Sequence, residues 1–382
     1  MNVYFDNSAT TKICHEALSR YIEVSQEHFG NPSSLHAIGH DAERIMNSAR
    51  KDILKTIGGM GQIVFTASGT EANNLAIFGR VYAKDRYRGC RIITSAGEHS
   101  SVNSPMATLA SDGYEVVYIP TKNGVFDMEA LISAMTPKTV LVSVMMVNNE
   151  TGALYDVDAI SEAVRIHAPD CVFHVDATQS YMKMPINVRK SKIDMLTLSS
   201  HKIEGPKGVG ALYISDSLIK NKGVKALILG GGQESGFRSG TENVPGIAAF
   251  ATAANVAASE LAQRSAKTNE LRDYLIEKLK KTEATPLLPE NHAPHIINVI
   301  LPKIKSQTML SRLSERGICV SSGSACSSHS HHASSALAAY GISDEMSDYS
   351  IRISLSFRNT KEEADYFISE FTDALCSLQR VR

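Results

Sequence analysis

Two apolar runs in this sequence end in residues that could work on one ligand. Val172-Phe173-His174-Val175-Asp176 closes with a carboxylate, and Leu196-Thr197-Leu198-Ser199-Ser200-His201-Lys202 closes with a lysine. An isolated Asp and Lys more often form an ion pair or sit in water, but other polar clusters follow runs of the same kind. Ser68-Gly69-Thr70-Glu71 follows the run 63–66 and opens a helical stretch. Alone it would be an N-cap. It also offers free backbone N–H groups, a hydroxyl and the positive end of a helix dipole to a phosphate. Glu98-His99-Ser100 follows the run 91–94 and supplies a histidine that could stack on an aromatic ring or move protons near neutral pH. Asn148-Asn149-Glu150-Thr151-Gly152 follows the run 139–147 and by itself is a good turn. A lysine able to form a Schiff base, a carboxylate able to hold a pyridine nitrogen protonated, a phosphate cup and a ring-stacking histidine together make the equipment of a pyridoxal 5′-phosphate site.

Such residues converge only if the runs are strands of one sheet. Runs at 63–66, 91–94, 115–118, 139–147, 171–175, 195–198 and 211–215 alternate with helical stretches, which predicts an α/β fold with seven strands in a mainly parallel sheet. Several are continuously apolar, as strands covered on both faces are. Ligands of open α/β sheets bind beyond the carboxyl ends of the strands, where every cluster above falls. The turn Gly205-Pro206-Lys207-Gly208-Val209-Gly210 is expected to leave Lys202 exposed at its strand end. Residues 250–282 read as one long helix leading out of the sheet. Strands at 295–301, 318–320 and 351–355 with helices at 308–316 and 361–378 then predict a small α+β domain. The expected division is a large domain over 14–255 and a small one over 256–382, with residues 1–13 packing on the latter.

With 382 residues, 43% of them hydrophobic, the chain can bury one large core and a second, smaller one. A formal net charge of −1, without long blocks of like charge, argues against nucleic acid and anionic membranes as partners. No apolar stretch approaches the length of a membrane span, the first residues lack a basic flank and an apolar core, and a cytoplasmic location is expected. Cys14, Cys90, Cys171, Cys319, Cys326 and Cys376 form no CxxC pair, which argues against a disulfide framework or a structural zinc site. Cys326 stands in a Ser-rich polar segment that favours exposure and reactivity. The other five, Cys171 and Cys319 in apolar runs among them, read as structural. His329, His331 and His332 read as a solvated face, and no metal is expected.

Further motifs carry a family resemblance over roughly nine-tenths of the chain. Ser199-Ser200-His201-Lys202-Ile203 with Gly205-Pro206-Lys207-Gly208, and His174-Val175-Asp176-Ala177-Thr178-Gln179-Ser180, resemble the lysine and aspartate segments of the cysteine desulfurases. These are fold-type-I pyridoxal-phosphate enzymes of the class V aminotransferase superfamily. Gly230-Gly231-Gly232-Gln233-Glu234 with Arg238-Ser239-Gly240-Thr241 resembles their glycine-rich segment, and Ser321-Ser322-Gly323-Ser324-Ala325-Cys326 their nucleophile loop.

The resemblance implies that Lys202 holds the cofactor, Asp176 the pyridinium nitrogen, and that His99 stacks on the ring and moves protons. Asn149 and Gln179 would flank the phenolate oxygen, and Gly69, Thr70, Ser199, Ser200 and His201 would hold the phosphate side. Thr241 would reach the phosphate of a neighbouring subunit, which implies a homodimer with shared sites. Arg352, with Asn149, would take the substrate carboxylate, a task suited to guanidinium geometry. The implied reaction moves sulfur from L-cysteine to Cys326, leaving L-alanine and a persulfide destined for a protein acceptor, a scaffold for iron–sulfur clusters or a thiolation enzyme. A selenocysteine lyase or related class V enzyme would share the cofactor residues. A persulfide carrier without catalysis fits poorly with intact Lys202, Asp176 and His99, and a nicotinamide dehydrogenase lacks a GxGxxG at its first βα unit. The chain departs from the family pattern at Glu204, for an aromatic residue, at Ser235, for arginine, and at Ser327-Ser328-His329-Ser330-His331-His332-Ala333-Ser334, for a segment bearing Leu-Glu-Pro.

Overall fold

The computed structural model describes residues 1–84, 89–322 and 334–379. Its central sheet has seven strands, in spatial order Gly61–Thr66, Gly210–Ser215, Met195–Ser199, Val172–Asp176, Thr139–Met145, Arg91–Ser95 and Glu115–Ile119. Gly210–Ser215 runs antiparallel to both neighbours, and the other pairings are parallel. Every residue of Thr139–Met145, Val172–Asp176 and Met195–Ser199 is buried, which explains why those segments are apolar without alternation. Alternate side chains feed the two faces. Ile63 and Phe65 join one apolar layer with Val175, Leu196 and Phe250, while Val64 joins the other with Ile92, Leu141 and Ile77.

Register decides where the chemistry-bearing residues stand. Asp176 lies opposite Met145 on one side and Thr197 on the other, so the strand ends that carry Asp176, Asn148 and Lys202 open at one edge of the sheet. The helix Gly69–Val81 begins at the same edge, because Ser68 accepts a hydrogen bond from Glu71 N–H and Glu71 reaches back to Ala67 N–H.

A second, antiparallel sheet contains Thr285–Leu287, Ile296–Ile300, Ser350–Ser354 and Ser321–Ser322 in that spatial order. Its core includes Ile297, Val299, Ile351, Ile353, Phe367 and Phe371. The first residues lie with it: Val3–Tyr4 pairs with Ile318–Cys319, and Phe5 packs edge-on against Phe367 at 5.7 Å. Asp6 then bridges Ser354, which draws residues 6–9 across to the edge of the central sheet.

The expected single helix over 250–282 is two helices, Val244–Ser259 and Leu261–Leu279, bent by 72° at Glu260. The two serve different cores. The first is Ala-rich, is capped by Asn243 and packs Ile247, Phe250 and Ala254 on the large sheet. The second turns Leu271, Leu275 and Leu279 into the small one. Among the described residues no single helix is long and apolar enough to cross a membrane.

Candidate active site

A cavity of about 350 Å³ opens at the strand ends, lined among others by Gly69, Thr70, His99, Asn149, Asp176, Gln179, Ser199, His201, Lys202 and Arg352. Ten of the sequence-derived site residues therefore meet in one space of cofactor size. Ser200 does not line it, being fully buried against Gly205, where an added Cβ would stand 2.2 Å from the Ser200 hydroxyl oxygen. Thr241 is exposed and lines a separate cavity with Phe65, Arg238 and Glu242. Cys326, His329, His331 and His332 lie outside the described residues. Cys319, read as structural, is exposed, because strand alternation turns Ile318 inward and its neighbour outward.

Asp176 is held by two neutral donors. Asn73 Nδ2 donates to Oδ2 at 2.7 Å, and the Thr178 N–H donates to Oδ1 at 2.9 Å. The second N–H of Asn73 reaches Ser101 Oγ at 2.8 Å, and Ser101 Oγ stands 2.9 Å from His99 Nδ1. His99 Nδ1 also accepts from Ser101 N–H, which leaves the proton of the neutral ring on Nε2. Burial pushes the His99 pKa below the usual histidine value against the pull of Asp176, and the Lys202 and Arg352 cations push the same way as burial. Sequence reasoning missed Asn73 and Ser101. Their one signal was a pair of polar residues on helix faces that are otherwise buried.

Lys202 ends a short helical turn after its strand, and its ammonium donates to Ser8 and Ala9 carbonyls. The turn before Gly210 thus leaves the amine in the cavity but hydrogen-bonded. Gln179 Nε2 also donates to Ser8 O, at 3.0 Å, while Gln179 Oε1 accepts from Lys183 Nζ at 3.2 Å. Burial, with help from Lys202 and Arg352, pushes Lys183 down to about 7. Burial and the cations Lys202, Lys207 and Lys183 push His201 down to about 4, so its ring is neutral at working pH.

Asn149 is presented by its neighbour. Asn148 Oδ1 accepts from the N–H groups of Glu150 and Thr151, and its amide donates to Gly97 O, two residues before His99. Arg352 Nη1 donates to Asn149 O at 2.8 Å, and Nη2 pairs with Asp6 at 3.1 Å.

The departures at Glu204 and Ser235 have structural roles. Glu204 takes a left-handed backbone (φ 65°) and pairs its buried carboxylate with Arg264 at 3.1 Å and with Arg358, which ties the lysine turn to the Leu261–Leu279 helix. Ser235, also left-handed at φ 56°, accepts from Gln62 at 2.9 Å beside Glu234, which Arg50 binds through both guanidinium ends.

The donor set suits pyridoxal phosphate. A Cβ on Gly69 would stand 3.1 Å from Thr178 Oγ1 and 3.4 Å from Ser199 Cβ, so the bare backbone leaves a recess at the start of a 13-residue helix. Asp176 at one wall is the anion that a pyridinium requires, and Lys202 at another is the amine that an aldehyde carbon requires.

The Aminotransferase class-V profile matches residues 3–367. The chain belongs to that family. Within it, the chain is 40% identical over 369 residues to the cysteine desulfurase IscS of Methanosarcina thermophila, covering 95% of this chain and 89% of that one. Among solved structures, a NifS-like protein superposes with a TM-score of 0.92 at 35% identity, over 99% of this chain and 100% of that chain. A structure described as SspA in complex with cysteine matches with a TM-score of 0.81 at 32% identity, over 94% of this chain and 100% of that chain.

Proposed function

We propose that this protein is a pyridoxal-phosphate-dependent cysteine desulfurase that moves the sulfur of L-cysteine onto Cys326 and releases L-alanine. The observation that carries this reading is the meeting of Lys202, Asp176, His99 and the Gly69–Thr70 helix start in one cavity with Arg352. When bound, the cofactor supplies an electron sink for the substrate Cα. Asp176 would hold positive charge at the ring nitrogen, and because both of its hydrogen-bond donors among the described residues are neutral, its own charge would serve that purpose. Lys202 Nζ, steadied by the Ser8 and Ala9 carbonyls, would hold the cofactor and would then be free to carry the Cα proton. His99, neutral with its proton on Nε2, would be the residue to stack on the ring. Arg352 orients the substrate carboxylate, and Asn149 carries the Arg352 contact at its backbone oxygen.

The thiolate of Cys326 attacks the substrate sulfur, so an S–S bond forms as the Cβ–S bond breaks. The electron pair left on Cβ takes up a proton, giving alanine and a protein persulfide. A protein acceptor then removes the sulfur, for iron–sulfur cluster assembly or thiolation. A homodimer completes the site through Thr241, a reading supported by large exposed apolar side chains at Phe29, Leu35 and Leu229. A cytoplasmic location is part of this proposal.

The test is Cys326→Ser. The variant should still bind the cofactor and change its absorption on adding L-cysteine, yet form neither alanine nor persulfide at a useful rate. Alanine formation at the wild-type rate would contradict the reading.

A further inference from the structure

Arg352 already has a carboxylate. It is 4% exposed, its Nη2 pairs with Asp6 Oδ1 at 3.1 Å, its Nη1 donates to Asn149 O at 2.8 Å, and its Nε has no partner among the described residues. The same Asp6 oxygen accepts a 2.6 Å hydrogen bond from Ser321 Oγ, a length typical of hydroxyl-to-carboxylate bonds. Neither partner is there by accident of a floppy surface. Ser321 stands directly opposite Arg352 in the second sheet, and Asp6 is fixed by its bridge to Ser354, with Ser354 N–H bonded to Phe5 O and Ser8 N–H to Ser354 Oγ. Two residues after Asp6, the Ser8 carbonyl holds Lys202. One short segment therefore touches the cation meant for the substrate carboxylate and the amine meant for the cofactor.

A buried guanidinium and one neighbouring carboxylate form a pair without net charge, and a second carboxylate must either share the cation or replace the first. Sharing would place two anions on one cation in a site largely removed from water. Replacement is provided for, because Ser321 Oγ can keep its hydrogen bond to Asp6 after Arg352 turns to the ligand.

We propose that Asp6 is a resident competitor for Arg352, exchanged for the substrate carboxylate and parked on Ser321, so that it sets the affinity and selectivity of the site for amino acids. The proposal rests on Arg352 being the carboxylate clamp. Because Asp6 must be displaced, a carboxylate or phosphate with no second attachment is rejected, whereas an amino acid also anchored near Lys202 wins the exchange. Asp6 is a specificity residue in this scheme and takes no part in bond breaking.

Titration of the cofactor-loaded protein with L-alanine, read as the equilibrium change in cofactor absorption, tests this without sulfur transfer. Asp6→Asn keeps the shape and removes the charge, and should lower the alanine Kd by roughly tenfold, the scale of one hydrogen bond to a charged group. Ser321→Ala removes the parking donor and should raise the Kd a few-fold, the opposite sign. An Asp6→Asn protein that binds alanine no better than wild type, or more weakly, would show that Asp6 orients Arg352 and does not compete with the ligand, and would overturn the proposal. Arg352→Gln is the control. If it leaves the Kd unchanged, the clamp assignment itself has failed, whereas loss of binding in Arg352→Gln with no gain in Asp6→Asn isolates the failure to Asp6.

Discussion

Asp176 and Arg352 line the same cavity, but their charges are managed in opposite ways. Asp176 is held by neutral donors, Asn73 and the Thr178 N–H, and the chain of hydrogen bonds continues from Asn73 through Ser101 to His99. Arg352 is paired with another carboxylate, Asp6, which is in turn shared with Ser321. A wall that keeps its charge uncompensated suits a partner that stays, such as a cofactor nitrogen. A wall whose charge is already answered suits a partner that comes and goes, such as a substrate carboxylate. Preorganisation on the first side and exchange on the second follow from the chemistry of the neighbours alone.

The contrast can be broken most severely at Lys202, which belongs to both sides through the Ser8 carbonyl. Lys202→Ala removes the group that carries the Cα proton, and alanine formation from cysteine should fall by about 10²- to 10⁴-fold or more. A protein with near wild-type turnover would mean that another base does the work.

A smaller effect is expected at Asn73. Asn73→Leu strips one neutral donor from Asp176 and leaves Ser101 Oγ with His99 alone, for a loss of about 10- to 100-fold in kcat, the equivalent of one hydrogen bond to a charged group. Cofactor affinity, measured by dialysis against apoprotein, should weaken in step. An unchanged kcat would show that the polar chain behind Asp176 is ornamental to catalysis.

The mildest test concerns stability. Glu98, fully buried next to His99, is pushed up to about 8 by burial, although Ser95 and the Met145 N–H both bond its carboxyl. Its folded pKa therefore lies above the unfolded value, so the folded state binds the extra proton between the two. Stability contributed by that proton is complete below the unfolded pKa and is lost as pH rises toward about 8. Glu98→Gln has no such loss, so relative to wild type its melting temperature should climb between about pH 5 and pH 8 and then level off. A difference that is flat across this range would mean that Glu98 is ionised in the fold.

The sequence disclosed strands better than partners. All seven central strands were readable because two-sided burial leaves uninterrupted β-branched and apolar runs, as in Thr139–Met145. Gly69, Asp176 and Lys202 were readable because each follows such a run directly. Asn73, Ser101, Asp6 and Ser8 were not, since each acts by a hydrogen bond to a residue distant in the chain, and neither periodicity nor composition records such a bond. The bend at Glu260 was hidden for a related reason. Helix propensity runs straight through residues 244–279, and only the presence of two separate cores makes the chain turn.

Lys202 is not the sole lysine near the cavity. Lys183, three hydrogen bonds away through Gln179 and the Ser8 carbonyl, is pushed down to about 7 by burial, which would make it a competent nucleophile by pKa alone. Geometry favours Lys202, because it lines the cavity with Asp176 and Gly69 and Lys183 does not; Lys183 lines only the smaller space with His295 and Arg264, which Lys202 also borders. Reduction of the cofactor-loaded protein with borohydride, followed by peptide mapping, reads this choice directly. The account predicts that the reduced cofactor is found on the peptide carrying Lys202 and nowhere else. Recovery of the label on Lys183, or on any other lysine, would contradict it.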